Sequence, residues 1–370
     1  MGRHIVWHGL GILIAIGLIG ALALPGYAQD PGPVSTVNGE PIAQSEFFMR
    51  VRFVRWQYLA ELEKFYELTG GNLGLAPQYV SNLITNLQNP ATLGEAVLSQ
   101  MEEERLLWQE AQKLGLTPTA EDAQAQENAF FSLWTDVPVS ELTINPLAQQ
   151  FINNWYAEAS AVSGFTADDL RYVFATEALR NRMYAYIAAS VPTEEMGVHS
   201  RHILCAFDPA PAAGESPSPE GRVAAEGCIR AAQARLQGGE PFETVARELS
   251  DDTATAAQGG DVPWMLLSYL VESYANAARD AELNTIVGPV ETIFGLHLIE
   301  VLERGMMPLD ENQLAESQNG YYSLWLTALR DQASIQRIPT WADGLPDQPG
   351  FDTLDPKIQQ AVTQFAGTTP

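Results

Sequence analysis

Apolar residues at spacings of three and four dominate the first half of the chain. Phe47, Val51, Val54, Tyr58, Leu62 and Phe65 predict one helix, ended by Gly70-Gly71. Ahead of it, Val34 to Ile42 reads as a short strand run turned by Asn38-Gly39, a hairpin signal. Residues 72 to 90, rich in Asn, Gly, Leu and Pro, predict a loop with a short helix. A long helix follows from Thr92 to Leu114, with Leu93, Val97, Met101, Leu107 and Ala111 inward and Glu102-Glu103-Glu104 as a solvated face. Thr119 with Asp122 and Thr166 with Asp169 cap two further helices, the second running through Leu170, Phe174, Met183 and Ile187.

Near residue 200 the period changes from helical to two. Ser200-Arg201-His202-Ile203-Leu204 and Gly295-Leu296-His297-Leu298-Ile299-Glu300 alternate polar and apolar positions, so both imidazoles belong on half-buried strands and face one place. Between them lie two helical patterns, Ala225, Ile229, Ala232, Leu236 and then Phe242, Val245, Ala246, Leu249. Strand, helices and returning strands make a compact α+β unit. Beyond it, Leu314, Tyr321, Leu324, Trp325 and Ala328 predict one more helix with a face to bury, and the Pro- and Gly-rich residues 341 to 370 predict an extended tail.

A chain of 370 residues suggests two or three units, with apolar residues enough for real cores. Its net charge of -26 argues against nucleic acid or anionic lipid as partners, since both need basic patches. Residues 1 to 28 read as a targeting segment: Arg3, an apolar run from Gly9 to Leu24, and Gly26-Tyr27-Ala28 as a small-x-small cleavage signal. Cleaved or retained as an anchor through residues 9–24, it implies an exported body, in the periplasm, at the cell surface or outside the cell. In an oxidising compartment Cys205 and Cys228 are either a disulfide or two buried thiols.

The string RHIL at 201–204, FETVARELSDD at 242–252, Gly259-Gly260-Asp261 followed by Val262 and Trp264, and GPVET with FG, His297, Ile299 and Glu300 resemble, in that order, the parvulin family of peptidyl-prolyl isomerases. The resemblance spans roughly residues 198 to 304. It implies a small antiparallel sheet flanked by helices, a polar set of His202, Asp252, Thr292 and His297, and a proline pocket of Val262, Met265, Leu270 and Tyr274. It implies neither cofactor nor metal. The chain departs from the family pattern at Pro263, Met265, Arg279 and Asn284, which bears on the packing behind the pocket.

The chemistry suits such residues. Turning an X–Pro bond breaks no covalent bond and needs only relief of a barrier of ~18–20 kcal/mol. A dry pocket that grips the ring and polar groups that favour the twisted imide suffice. Two other readings are weaker. Two His and one Asp also suit a metal triad, but each comes from a separate motif without helical ligand spacing. Ser250 beside a His invites a hydrolase, but no nucleophile elbow surrounds it.

The order VNGEPI, helix, long helix ending KLGLTPTAED, and a capped helix leading into RHIL is similar to the N-terminal chaperone module of SurA- and PrsA-like exported parvulins. The resemblance implies a parvulin-like domain (197–305) inserted in a mainly α-helical chaperone module (34–196), to which a C-terminal helix (306–340) returns. It also implies unfolded or partly folded exported proteins, through proline-containing segments, as partners, with a membrane reached only through the N-terminal segment. Phe47, Phe48, Phe53, Trp56, Tyr58, Phe65 and Tyr66 exceed what one helix face can bury, so they form either a groove for apolar segments or ordinary core. The functional expectation is an isomerase and chaperone; the alternative is an ATP-independent holdase whose parvulin domain no longer turns over.

Overall fold

A computed structural model describes residues 32–212 and 215–368. The expected targeting segment lies outside them. Among the described residues, no helix is long and apolar enough to cross a membrane.

The chain begins with a hairpin of β1 (Pro33–Val37) and β2 (Glu40–Ala43), closed by Asn38 and Gly39 at φ 51° and 86°. Both residues are left-handed, as a two-residue hairpin turn demands, which is why Asn-Gly stands there. Six helices follow: α1 (Gln44–Leu68), α2 (Pro77–Gln88), α3 (Pro90–Leu114), α4 (Ala120–Thr135), α5 (Pro146–Ser163) and α6 (Ala167–Ala188). Thr119 and Thr166 close reciprocal capping boxes with Asp122 and Asp169. The chain then enters β3 (Glu194–Ala206), α7 (Pro219–Gln237), α8 (Phe242–Leu249), β4 (Asp261–Leu266), α9 (Glu272–Asp280), β5 (Ile286–Thr292) and β6 (Gly295–Pro308). It ends with α10 (Glu311–Asp331), β7 (Ile335–Arg337) and α11 (Pro356–Thr368).

These elements form two compact units. One comprises the described residues up to Ala189 and from Gly320 onward; the other, residues 190–319, is inserted between those two pieces. The fold is therefore α+β, with a small antiparallel sheet unit inserted in a mainly helical one.

In the helical unit, β7 joins the far side of the hairpin to give the order β2-β1-β7. The core beneath combines Phe47, Val51, Val54 and Leu62 of α1 with Leu93, Val97 and Leu98 of α3. Several expectations are corrected here. Residues 72 to 90 are mostly helix, because Val80, Leu83, Ile84 and Leu87 supply an apolar stripe. The end of the chain is not an extended tail: Leu354, Ile358 and Val362 recur at helical spacing, and α11 buries them in the same core. The Pro- and Gly-rich stretch before them masked that period. The face of α10 is turned by one position, with Tyr322, Trp325 and Leu326 packed while Tyr321 and Leu324 stay 49% and 72% exposed. The aromatics of α1 are core: Phe47, Phe53 and Tyr58 are buried and Phe48, Trp56, Phe65 and Tyr66 pack against them.

The acidic run of α3 is not a solvated face. Glu102 and Glu104 are fully buried. Glu102 accepts from Ser35 of β1 at 2.7 Å and, bidentately, from Arg337 of β7 at 2.8 Å to each oxygen. Glu104 pairs with the buried Arg50, and Arg180 reaches Glu103. The cations come from positions 50, 180 and 337, too distant in sequence for local charge patterning to pair them. A charge buried beside a fixed guanidinium fork costs several kcal/mol if its partner is removed.

In the inserted unit the sheet order is β4-β3-β6-β5, all antiparallel. Ile203, Cys205, Leu296 and Leu298 face α7 and α8, whose Ala225, Ile229, Phe242 and Val245 complete that core. Val198, Ile299 and Val301 face the other way, against Tyr274 and Ala278 of α9. A disulfide joins Cys205 to Cys228 of α7, with Cα atoms 5.9 Å apart, across 23 residues of sequence.

Two outcomes are expected. Arg337→Ala should lower the unfolding free energy of the helical unit by about 3 kcal/mol, measured by urea titration, because the fully buried Glu102 loses its bidentate guanidinium partner. Replacing both cysteines by alanine should cost the inserted unit about 3 kcal/mol in the same assay, the loop-closure value for a ring of this size.

Candidate functional site

β3 and β6 pair over thirteen residues, with His202 opposite Ile299 and Leu204 opposite His297. Residues two apart on one strand share a face, so His202 and His297 are diagonal neighbours on the side away from α7. Their rings stack with centroids 5.3 Å apart at 22°, and the two Nδ1 atoms are 3.1 Å apart. Both side chains are buried.

A line of hydrogen bonds runs through the pair. His202 Nε2 is 2.7 Å from Asp252 Oδ2, which also accepts from Thr255 Oγ1. At the other end, His297 Nε2 is 2.9 Å from Thr292 Oγ1, and that oxygen accepts the Phe294 N–H. For two neutral rings only one assignment satisfies every contact. His202 donates Nε2–H to the carboxylate, His297 donates Nδ1–H to His202 Nδ1, and Thr292 donates its hydroxyl to His297 Nε2. The tautomers are thus set by Asp252 at one end and Thr292 at the other.

The backbone explains why these residues meet. Ser250 and Asp251 bind β3 alongside Leu204 and Ala206: Asp251 N–H donates to Leu204 O at 2.8 Å, and Ser250 Oγ accepts the Leu204 N–H. Asp252 is thereby held beside His202. Ser250 is occupied as a backbone clamp. Gly260, at φ 84°, brings its carbonyl to the His202 N–H at 2.9 Å; a Cβ there would lie 2.2 Å from His202 O. The paired glycines ahead of β4 follow from that close approach.

Burial, reinforced by the charge His202 would carry, pushes the His297 imidazole down to about 4, against a smaller pull from Asp252. His297 is therefore neutral at pH 7. Burial works against the Asp252 carboxylate, but hydrogen bonds from Thr255 and His202 outweigh it and hold its pKa below the ordinary aspartate value. An ionised carboxylate at one end and the neutral His297 ring towards the other give the site a fixed polarity. Among the described residues, no group of three or more His, Cys, Asp or Glu has the arrangement of a metal site.

Residues 202–303 match the family model for Rotamase, the PPIC-type PPIASE domain. They form a PPIC-type peptidyl-prolyl isomerase domain. Chaperone SurA of Methylococcus capsulatus is 33% identical over 135 residues, 34% of this chain and 29% of its own. Chaperone SurA of Pseudomonas fluorescens is 27% identical over 165 residues, 45% of this chain and 35% of its own. The chain thus spans about a third of the length of these curated relatives. Among solved structures, the peptidylprolyl isomerase PrsA from Bacillus cereus aligns with 91% of this chain and 99% of its own, at 15% identity and a TM-score of 0.38.

Within the isomerase domain the four polar residues singled out by sequence lie in one hydrogen-bonded line. Of the four pocket residues, Tyr274 is buried with its ring edge-on to both imidazoles, and Leu270 packs in the same apolar cluster. Val262 and Met265 are half-buried on the edge strand β4, opposite Ser200 and Val198, and lie outside that cluster. The departures are accommodated locally. Asn284 takes the left-handed conformation, φ 58°, that glycine favours and asparagine tolerates. Arg279 points outward and pairs with Asp280. Pro263 stands at a register shift on the edge strand, where a missing N–H is least costly.

Two participants escaped the sequence reading. Thr255, three residues after Asp252, bonds both the carboxylate and His202 Nε2; its short-range spacing was a usable signal. Ser200, two residues before His202 and so on the same face, is fully buried.

His297 also makes stability depend on pH. Its folded value lies below the unfolded 6.5, so as pH falls from 6.5 towards 4 the unfolded chain takes up the proton first. Up to roughly 3 kcal/mol of the domain's stability should be lost across that window. Urea unfolding near pH 7 and about pH 4.5, followed through β3 and β6 amide exchange, should show that loss, and His297→Asn should shrink it.

Proposed function

We propose that this chain is an exported foldase: its isomerase domain accelerates X–Pro isomerisation in unfolded or partly folded proteins, and its helical unit holds them. The observation that carries this reading is the continuous line Asp252, His202, His297, Thr292 beside the Tyr274 ring, inside a domain of the isomerase family. Uncatalysed, the step takes tens to hundreds of seconds and can limit folding. An imidazole pair anchored at both ends offers a preset field to the twisting imide, while the apolar wall receives the pyrrolidine ring. His202 and His297 face the twisting bond, Asp252 and Thr292 hold their protons in place, and Tyr274 with Leu270 forms the wall. Val262 and Met265 extend it along the edge strand. No covalent intermediate or energy source is required.

Export is supported by the apolar run at residues 9–24 and by the disulfide, which persists in an oxidising compartment. The setting is the periplasm, the cell surface or the extracellular space, with any membrane contact confined to that N-terminal run. The SurA chaperones among the relatives support unfolded exported proteins as clients, engaged through proline-containing segments.

The test is the rate of cis-to-trans conversion of a short Ala-Pro reporter peptide, with wild type, His202→Ala and His297→Ala compared. Wild type should accelerate conversion, and each variant should lose roughly tenfold or more in kcat/KM. Absence of acceleration in wild type, with aggregation of an unfolded client still suppressed, would replace this reading by that of a holdase.

A further inference from the structure

The hydrogen-bonded line holds the imidazole pair from its two ends. Those bonds act along the line, and a joint tilt of the stacked rings calls for a contact from the side. That contact is Tyr274 of α9, whose ring stands nearly perpendicular to both: 5.8 Å and 73° from His202, 5.6 Å and 90° from His297. Tyr274 is 4% exposed, and among the described residues its hydroxyl is partnered by Ser200 Oγ at 3.0 Å. Ser200 is fully buried, stands on β3 two residues before His202, and faces the same way. Val198, Ala278 and Ile299 add apolar packing between sheet and helix on this side. Other polar anchors of α9 are Ser273, whose hydroxyl donates to Glu291 O of β5 at 2.7 Å, and Arg304 of β6, which donates to Ala278 O at 2.7 Å and to Ala281 O at 2.6 Å; none of these bonds involves the Tyr274 ring.

A hydroxyl buried in an apolar cluster needs a reason. The ring alone would serve to line it, and phenylalanine would do so without a buried polar atom. Burial pushes the Tyr274 phenol up to about 12, so it stays a neutral donor and acceptor throughout the working range. The pair is complete only with both members, because either hydroxyl alone is left in an apolar site without a partner.

We propose that Ser200 and the Tyr274 hydroxyl form a positioning pair: Ser200 fixes the rotation of the Tyr274 ring, and that ring fixes the tilt of the His202–His297 stack on which turnover depends. Ser200 acts through Tyr274, and the Tyr274 hydroxyl acts through its own ring. The inference rests on the isomerase reading above and adds a second constraint, perpendicular to the tautomer-setting line.

The test uses the full chain with Tyr274→Phe, Ser200→Ala, Ser200→Thr and the double variant Ser200→Ala/Tyr274→Phe, which leaves no unpaired hydroxyl and guards against loss of folding. Two quantities are read: kcat and KM for the Ala-Pro reporter peptide, and the ¹⁵N imidazole resonances of His202 and His297 at neutral pH. Tyr274→Phe, Ser200→Ala and the double variant should each lose about fivefold in kcat with KM within about twofold, and should broaden or shift the imidazole signals. Ser200→Thr, which keeps the hydroxyl, should restore both. A double variant with wild-type kcat and unmoved imidazole signals would overturn the proposal, showing the pair to be packing alone. If wild type proves inactive, the isomerase reading fails, and the imidazole signals by themselves decide whether the pair positions the rings: unmoved signals in the double variant refute it.

Discussion

The register between β3 and β6 is the constraint on which the rest of the isomerase domain depends. Side chains alternate across a strand, so a slip of one residue would send His202 to one side of the sheet and leave His297 on the other. Two things forbid the slip. Ile203, Cys205, Leu296 and Leu298 must all face α7 and α8, and the Cys205 sulfur is covalently committed to that side. The apolar core on one face thereby aligns the polar site on the other. Asp252 is delivered by backbone bonds to the same strand, so its position too follows from β3.

The site works by arrangement of neutral or fixed charges, and burial is what makes it so. In water an imidazole pair would exchange tautomers and protons freely near pH 7. Here the buried His297 stays uncharged, the Asp252 carboxylate stays ionised, and two threonines complete the donors and acceptors. The same low-dielectric surroundings that suit a proline ring also fix the polarity of the groups beside it.

Much of this was legible in the chain. The alternation around His202 and His297, the paired glycines before β4 and the Asn-Gly hairpin each carry a local physical cause, and local causes are what a sequence displays. The polar line was legible through the family resemblance, since nothing local connects Asp252 to residue 202. What escaped reading depended on distant partners. Glu102 and Glu104 look like a solvated stripe until Arg337, Arg50 and Arg180 are placed beside them. α11 hides its period behind a Pro- and Gly-rich approach, and the orientation of α10 shifts by a single position, which pattern alone does not resolve. Ser200 looked like an ordinary strand polar residue because its partner lies 74 positions away.

The insertion has a consequence for the order of events during synthesis. The helical unit is made of two stretches separated by the whole of residues 190–319. As the chain emerges from its N-terminus, β1 and α3 exist long before β7, and Glu102 waits without the guanidinium that completes its surroundings. The inserted domain, contiguous in sequence, has every residue it needs before the outer unit does. Vectorial synthesis therefore gives this molecule a schedule: every residue of the part with the histidine pair is present before the part that encloses it in sequence can be sealed, when Arg337 arrives to neutralise a carboxylate laid down 235 residues earlier.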